Sequence, residues 1–197
     1  MRTTWSALYT SLHRSMNRVS AENAFQEFRR RHPDLGRFAS IPTLLQHLQR
    51  REGDPGVRYH TIRALVVAAQ AEGDLAATAA MLVIIALWPG LSGVHCRLRR
   101  DFPDEEPDLG GDILARMNLA IARADLDRIK SVAGTLIRSV ERDIRRELVR
   151  ARKRAQRSLD ITNPCVEAEA DCALDNLQPG ADLGDLLISL SPENTAL

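Results

Sequence analysis

The sequence predicts an all-α protein, a helical bundle, and three observations carry that expectation. Apolar residues recur at three- and four-residue steps through most of the chain. Leu, Ala, Ile and Val, with Arg, Glu and Gln, dominate, and these residues favour helices. Alternating Val, Ile, Thr and Tyr runs bounded by turns, the mark of strands, are missing. Aromatic residues make up only 4% of the 197 residues, so the core is expected to be aliphatic.

Trp5, Leu8, Tyr9, Leu12 and Met16 fall at helical spacing and mark a first amphipathic helix. Ser20 suits the cap of a second, carrying Phe25 and Phe28, which His32-Pro33-Asp34 breaks. A short helix is expected from Pro42 to Arg51, then a turn at Glu52-Gly-Asp-Pro-Gly56. The next helix spans Tyr59 to Glu72 and stops at Gly73. Asp74 is placed to cap the most apolar helix, which runs to Arg100 and is expected to kink or split at Pro89-Gly90. Its core, Ala76 to Leu91, is shorter than the roughly 20 apolar residues that span a bilayer, so a buried helix is expected. An exposed acidic connector follows from Asp101 to Asp108. Asp108 is a good cap for a helix through Ile113, Leu114, Met117, Leu119 and Ile121.

The last helix is expected from Leu126 to Arg157, on the stripe Ile129, Val132, Ala133, Leu136, Ile137, Val140, Ile144, Leu148 and Ala151. Asp125 and Asp127 would sit at its start and favour its dipole. From Leu159 onward Pro and acidic residues dominate, and a flexible tail is expected, with one short helix on Leu183, Leu186, Leu187 and Leu190. The expected division is residues 1–72, 73–158 and 159–197.

No enzyme is expected. His13, His32, His47, His60 and His95 stand singly, without Cys, Asp or Glu at metal-ligand spacing. Phosphate loops, nucleophile elbows and zinc-protease helices are absent. No catalytic residue, metal or cofactor is therefore assigned. Cys96, Cys165 and Cys172 form no C-x-x-C pair, which points to a reducing cytoplasm. The opening Met1-Arg-Thr-Thr-Trp has no apolar signal core, and no membrane partner is expected.

The net charge of +1 hides an asymmetry. Asp160 to Leu197 holds 8 acidic residues and no Lys or Arg, while Arg138 to Arg157 holds 9 basic residues against 3 acidic. The basic set is Arg138, Arg142, Arg145, Arg146, Arg150, Arg152, Lys153, Arg154 and Arg157. A solvated helix face is one reading, with Glu141, Asp143 and Glu147 pairing within the helix. Contact with nucleic-acid phosphates is the other.

The order of these segments resembles region 2 of sigma-70 family factors. There an apolar helix leads to an acidic turn opening with Asp-Leu, then a helix that grips the polymerase clamp, then a helix with a basic end near the promoter. Asp74 to Arg100 would be the apolar helix, and Asp108-Leu-Gly-Gly-Asp-Ile-Leu-Ala-Arg-Met117 would open the clamp-binding one. Ala133-Gly-Thr-Leu-Ile-Arg-Ser-Val-Glu-Arg-Asp-Ile-Arg-Arg-Glu-Leu148 is similar to the family's R-I-A-R-N-x-A-x-D-x-L-R-R run. The resemblance covers Asp74 to Arg157. It implies RNA polymerase core as partner, with Asp108, Asp112, Ile113, Arg116 and Met117 on the clamp helices. Promoter DNA or nascent RNA would lie against the basic set.

Two features depart from the family. Between Pro103 and Leu197 there is no Phe, Tyr or Trp to stack on unpaired bases. Gly110-Gly111 also replaces the usual polar residue after Asp-Leu-x. A sigma-like part without its reading modules resembles the gene transfer agent transcription activators of alphaproteobacteria, of the GafA/GafZ type. Ala86-Leu-Trp-Pro-Gly-Leu91 and Arg142 to Arg146 carry that likeness. It implies activation of a phage-like gene cluster beside a separate DNA-binding partner, in the bacterial cytoplasm at the nucleoid, with anti-termination as a related role. The other reading is an anti-sigma or adaptor protein that touches no nucleic acid.

Overall fold

The computed structural model describes residues 4–50, 54–103 and 108–161. These form α1 (Trp5–Met16), α2 (Val19–Arg31), α3 (Pro33–Gly36), α4 (Ile41–Gln49), α5 (Pro55–Gln70), α6 (Asp74–Ala86), α7 (Trp88–Asp101), α8 (Leu109–Ala122) and α9 (Val132–Ile161). No strand occurs among the described residues, so the chain is all-α. The expected tail helix on Leu183 to Leu190, and Cys165 and Cys172, lie outside them. No single described helix is long and apolar enough to cross a membrane.

The chain divides into two compact units, Met1–Arg150 and Ala151–Leu197. One apolar core runs from Met16 to Ile144 and takes in residues of α1 to α9. In the second unit, the described residues 151–161 are helical.

α6 is the centre of the first unit. It packs against α1, α2, α4, α5, α7 and α8. Leu82 to Trp88 are all buried, as a helix that is apolar on every side requires. Phe25, Phe28, Leu44, Leu65, Leu91, Leu98, Ile113 and Met117 complete the core, each fully enclosed side chain contributing about 1.5–3 kcal/mol. The buried Thr61 is satisfied locally, donating its hydroxyl to the Val57 carbonyl at 2.7 Å.

Several boundaries differ from the sequence expectation. Ser20 lies inside α2, whose N-cap is Arg18. The cap before α6 is Gly73 at φ 111°, a left-handed region that glycine adopts without strain, and Asp74 is the first helical residue. Of the kink or split expected at Pro89-Gly90, the structure has the split. The apolar helix ends at Ala86 and restarts at Trp88, and the two parts bend by 66°. Pro89 has no N–H for the Ile85 carbonyl four residues earlier. Gln49 Nε2 donates to that carbonyl at 3.0 Å instead.

The last helix starts at Val132, not Leu126. The segment between α8 and α9 is held in turns from outside. Gln70 Nε2 donates to the Ile121 and Ala124 carbonyls at 2.9 and 2.8 Å, and the Tyr59 hydroxyl donates to the Ile129 carbonyl at 3.4 Å. The Asp125 carboxylate accepts from the Asp127 N–H at 3.2 Å, an Asx turn that competes with helix. Asp125 and Asp127 therefore belong to a turn rather than to a helix start. Ile129 still packs against the core, from this loop.

Candidate partner and nucleic-acid interface

The Asp108 cap forms as expected. Its Oδ1 accepts from the Gly111 N–H at 3.1 Å. Gly111 is required for this, because a Cβ there would collide with the Asp108 carboxylate itself. Gly110 has another reason: a Cβ would stand 2.7 Å from Leu8 Cδ1 and 3.5 Å from the Trp5 ring. The double glycine thus admits both a cap and the close approach of α1.

The proposed clamp-contact residues separate into two groups. Ile113 and Met117 are fully buried and hold α8 to the core, so the contact assigned to them is not available in this structure. Their place in the 109-113-117-121 row gives the physical reason, since that row is the buried stripe of α8. Asp108 and Asp112 are exposed, and Arg116 is half-exposed. Arg116 donates to Glu147 of α9. Partial burial, together with the negative Glu147 and Asp108, raises the Asp112 pKa.

α9 carries its apolar stripe as expected: Val132, Leu136, Val140 and Ile144 are buried, with Ala133, Ile137 and Leu148 packed against the core. The opposite face holds the arginines. The carboxylates pair partly within the helix, Asp143 with Arg142 and Glu141 with Arg145, and partly with other helices. Glu141 is taken by α7, where Arg97 grips it through Nε and Nη2 at 2.9 and 2.6 Å. That forked contact lowers the Glu141 pKa and raises that of Arg97. Glu147 is taken by Arg116 of α8.

The arginines of the first unit accordingly differ in state. Arg145 is anchored by Asp101 at 2.8 Å and lies 3.7 Å from Glu141. Among the described residues Arg142 pairs with its neighbour Asp143, at 3.2 Å. Arg138, Arg146 and Arg150 are exposed and have no ion pair among the described residues. Arg138, Arg142, Arg146 and Arg150 stand four residues apart, so their guanidinium groups rise by roughly 6 Å per step along the helix. In the second unit Arg152, Lys153, Arg154 and Arg157 are exposed on helical backbone.

Sequence reading missed two participants. Arg123, just past α8, shares with Arg142 a cleft of about 380 Å³ that is also lined by Leu119, Thr135, Ser139, Asp125 and Asp143. Arg97 was not singled out either. Both lie on other elements, so periodicity along α9 carries no sign of them. Among the described residues no group of three His, Cys, Asp or Glu side chains could hold a metal ion. Asp101 and Phe102 are not part of an exposed connector: Asp101 ends α7, and Phe102 packs on the core with the Arg145 guanidinium 5.9 Å from its ring centre.

No family model, no curated protein and no solved structure matches the chain.

Proposed function

We propose that this chain is a sigma-like transcription activator that binds bacterial RNA polymerase and promotes expression of a phage-like, gene transfer agent cluster. Polymerase is held through the exposed Asp108, Asp112 and Arg116 of α8. The phosphates of promoter DNA or nascent RNA lie against α9, and a separate DNA-binding protein finds the promoter. Attachment that persists into elongation suits anti-termination as well. The work is done in the bacterial cytoplasm, at the nucleoid.

One observation supports this most. Two of the three carboxylates of the basic stretch, Glu141 and Glu147, are engaged by Arg97 and Arg116 of other helices and the third, Asp143, by Arg142, so Arg138, Arg146 and Arg150 are exposed and unpaired among the described residues. Phosphate contact would neutralise such a row with release of counterions. No aromatic side chain lies on α9, so binding here is expected to be independent of base sequence.

The test is binding of the purified protein to core RNA polymerase, with a housekeeping sigma factor as competitor. Binding lost on competition supports the clamp. Binding that survives competition moves the protein elsewhere on polymerase and favours the anti-termination role. No binding removes the reading.

A second reading, an anti-sigma or adaptor protein without nucleic-acid contact, is favoured by the anchoring of Arg145, beside the row, to Asp101. It predicts no change in the anisotropy of labelled duplex DNA or RNA at low salt.

A further inference from the structure

Beside the arginine row, α8 and α9 leave open the cleft of about 380 Å³. Arg116, Leu119 and Arg123 line it from α8 and the residue that follows, at steps of three and four. Thr135, Ser139 and Arg142 line it from α9, at steps of four and three. Each set is therefore one face of its helix. On the α8 side Ala120 and Ala124 are too short to fill the gap.

The groups in the cleft differ in what already holds them. Arg116 is taken by Glu147. Asp125 accepts from the Asp127 N–H and lies 3.5 Å from the Arg128 guanidinium. The other donors are uncommitted. Arg123 has no partner among the described residues, and Arg142 donates through Nε to Asp143, leaving both of its terminal nitrogens. The hydroxyls are the sharper sign. Thr10, Ser15 and Thr61 each donate to the carbonyl four residues earlier, a bond open to any helical Ser or Thr. Thr135 and Ser139 are helical too, yet neither hydroxyl has a partner among the described residues.

Two guanidinium groups and two hydroxyls thus line one concavity with no protein acceptor for them. Four separate donors suit the three terminal oxygens of a phosphate monoester better than the two of a carboxylate. The rest of the wall is apolar. Leu119 is 43% exposed, one of four large apolar side chains so exposed among the described residues, and it lies here with Ile129. An apolar wall beside an oxyanion site favours an ester with a carbon body over inorganic phosphate. Arg116, fixed by Glu147, adds a guanidinium plane of the kind on which bases stack. Ligand pockets run from about 300 to 1,000 Å³, so the cleft holds one small molecule.

We propose that this cleft binds a nucleoside monophosphate. Arg123, Arg142, Thr135 and Ser139 take the phosphate, and the base lies against Leu119 and Ile129. A free nucleotide offers this chemistry, and so does the 5′-phosphate end of a strand lying along the arginine row, which shares Arg142. The site stands whether or not the protein binds polymerase.

Calorimetric titration of the full chain with AMP, adenosine and inorganic phosphate tests it. AMP should bind at least about tenfold tighter than either of its halves. Arg123→Gln should weaken AMP by about tenfold or more, the loss expected of a hydrogen bond to a charged group, and Ser139→Ala several-fold. Neither side chain has a partner to lose, so both variants should melt as wild type does. Arg37→Gln removes an exposed arginine at the end of α3, outside the cleft, and should bind AMP as wild type does. No binding of AMP overturns the site, and so does phosphate bound as tightly as AMP. An equal loss in Arg37→Gln and Arg123→Gln overturns it as well, since that is general attraction to a basic chain. Tetranucleotides with and without a 5′-phosphate separate the two sources. A phosphate-dependent gain over AMP assigns the site to a strand end, and no gain assigns it to a free nucleotide.

Discussion

Asp101, the last residue of α7, holds Arg145 of α9: Oδ2 accepts from Nη2 at 2.8 Å, and the guanidinium lies over the neighbouring Phe102. Arg145 also reaches Glu141, which Arg97 of α7 already grips. These four side chains tie α7 to α9 on the arginine face. Arg145 is therefore a brace, and its neighbour Arg146, one residue on and exposed, is not.

That difference separates two substitutions that look equivalent in sequence. Arg146→Glu should abolish or greatly weaken binding to nucleic acid while the melting temperature stays within about 1 °C of wild type, since exposed changes away from contacts cost little. Arg145→Glu should weaken binding too, but it sets a third carboxylate beside Asp101 and Glu141. Its melting temperature should fall by about 3–6 °C, the range expected for 1–2 kcal/mol in a chain of this size. Thermal melts and anisotropy on the same samples check both. Unchanged binding by Arg146→Glu would end the role assigned to the row.

The brace carries a pH signature. The hydrogen bond from Arg145 lowers the Asp101 pKa, and that from Arg97 lowers the Glu141 pKa. Depressed carboxylate pKa values stabilise the fold above the unfolded values, about 3.9 for Asp and 4.3 for Glu. That stability is lost as pH falls through the lower folded values. Replacing Arg145 by Met should therefore cost stability at pH 7 and progressively less below about pH 4. Urea midpoints at pH 7, 5 and 3 measure this, and a constant difference across the series would contradict it.

Asp112 has the opposite sign. Burial, Glu147 and Asp108 raise its pKa, so its charged form is disfavoured by the fold. Stability is lost as pH rises from the unfolded value near 3.9 through the raised folded value. Asp112→Asn should accordingly melt slightly higher than wild type at pH 7, with the gain vanishing at pH 3. A lower melting temperature at pH 7 would show that its placement near the positive end of α8 outweighs the repulsion.

At Gly90 of α7 a Cβ would collide with Ile137 Cδ1 of α9. Gly90→Val should destabilise by about 1–3 kcal/mol through overpacking. Ile137→Ala alone should also destabilise, by removing a partly buried side chain. Combined, the two should recover at least about 0.5 kcal/mol relative to their sum, the coupling expected of touching residues. Strict additivity in urea titrations would place the two helices further apart than found.

If three exposed arginines each neutralise one phosphate, the logarithm of duplex affinity should fall against the logarithm of salt with a slope of about −3, and Arg150→Gln should reduce it by about 0.9. A slope near zero would favour the adaptor reading.

The sequence by itself determined the helical class and most element centres. Trp5 to Met16, the Ile113, Met117 and Ile121 positions and the 132-136-140-144 stripe follow from a period that one helix imposes on its own residues, whereas Leu119, read into the same helix face, is exposed. The Asp108 cap was equally legible, because a cap is a contact over three residues. Contacts between elements were not. Leu126 to Ser131 has helical spacing, yet hydrogen bonds from Gln70 and Tyr59 hold its neighbourhood in turns. Ile113 and Met117 read as surface contacts through a resemblance, although their spacing sets them on the apolar face of α8, and the packing turns that face inward. The arginines gave the same lesson. Their number is in the sequence, but which of them stay exposed and unpaired depends on Arg97, Arg116 and Asp101, which come from other helices across distances that no local period encodes.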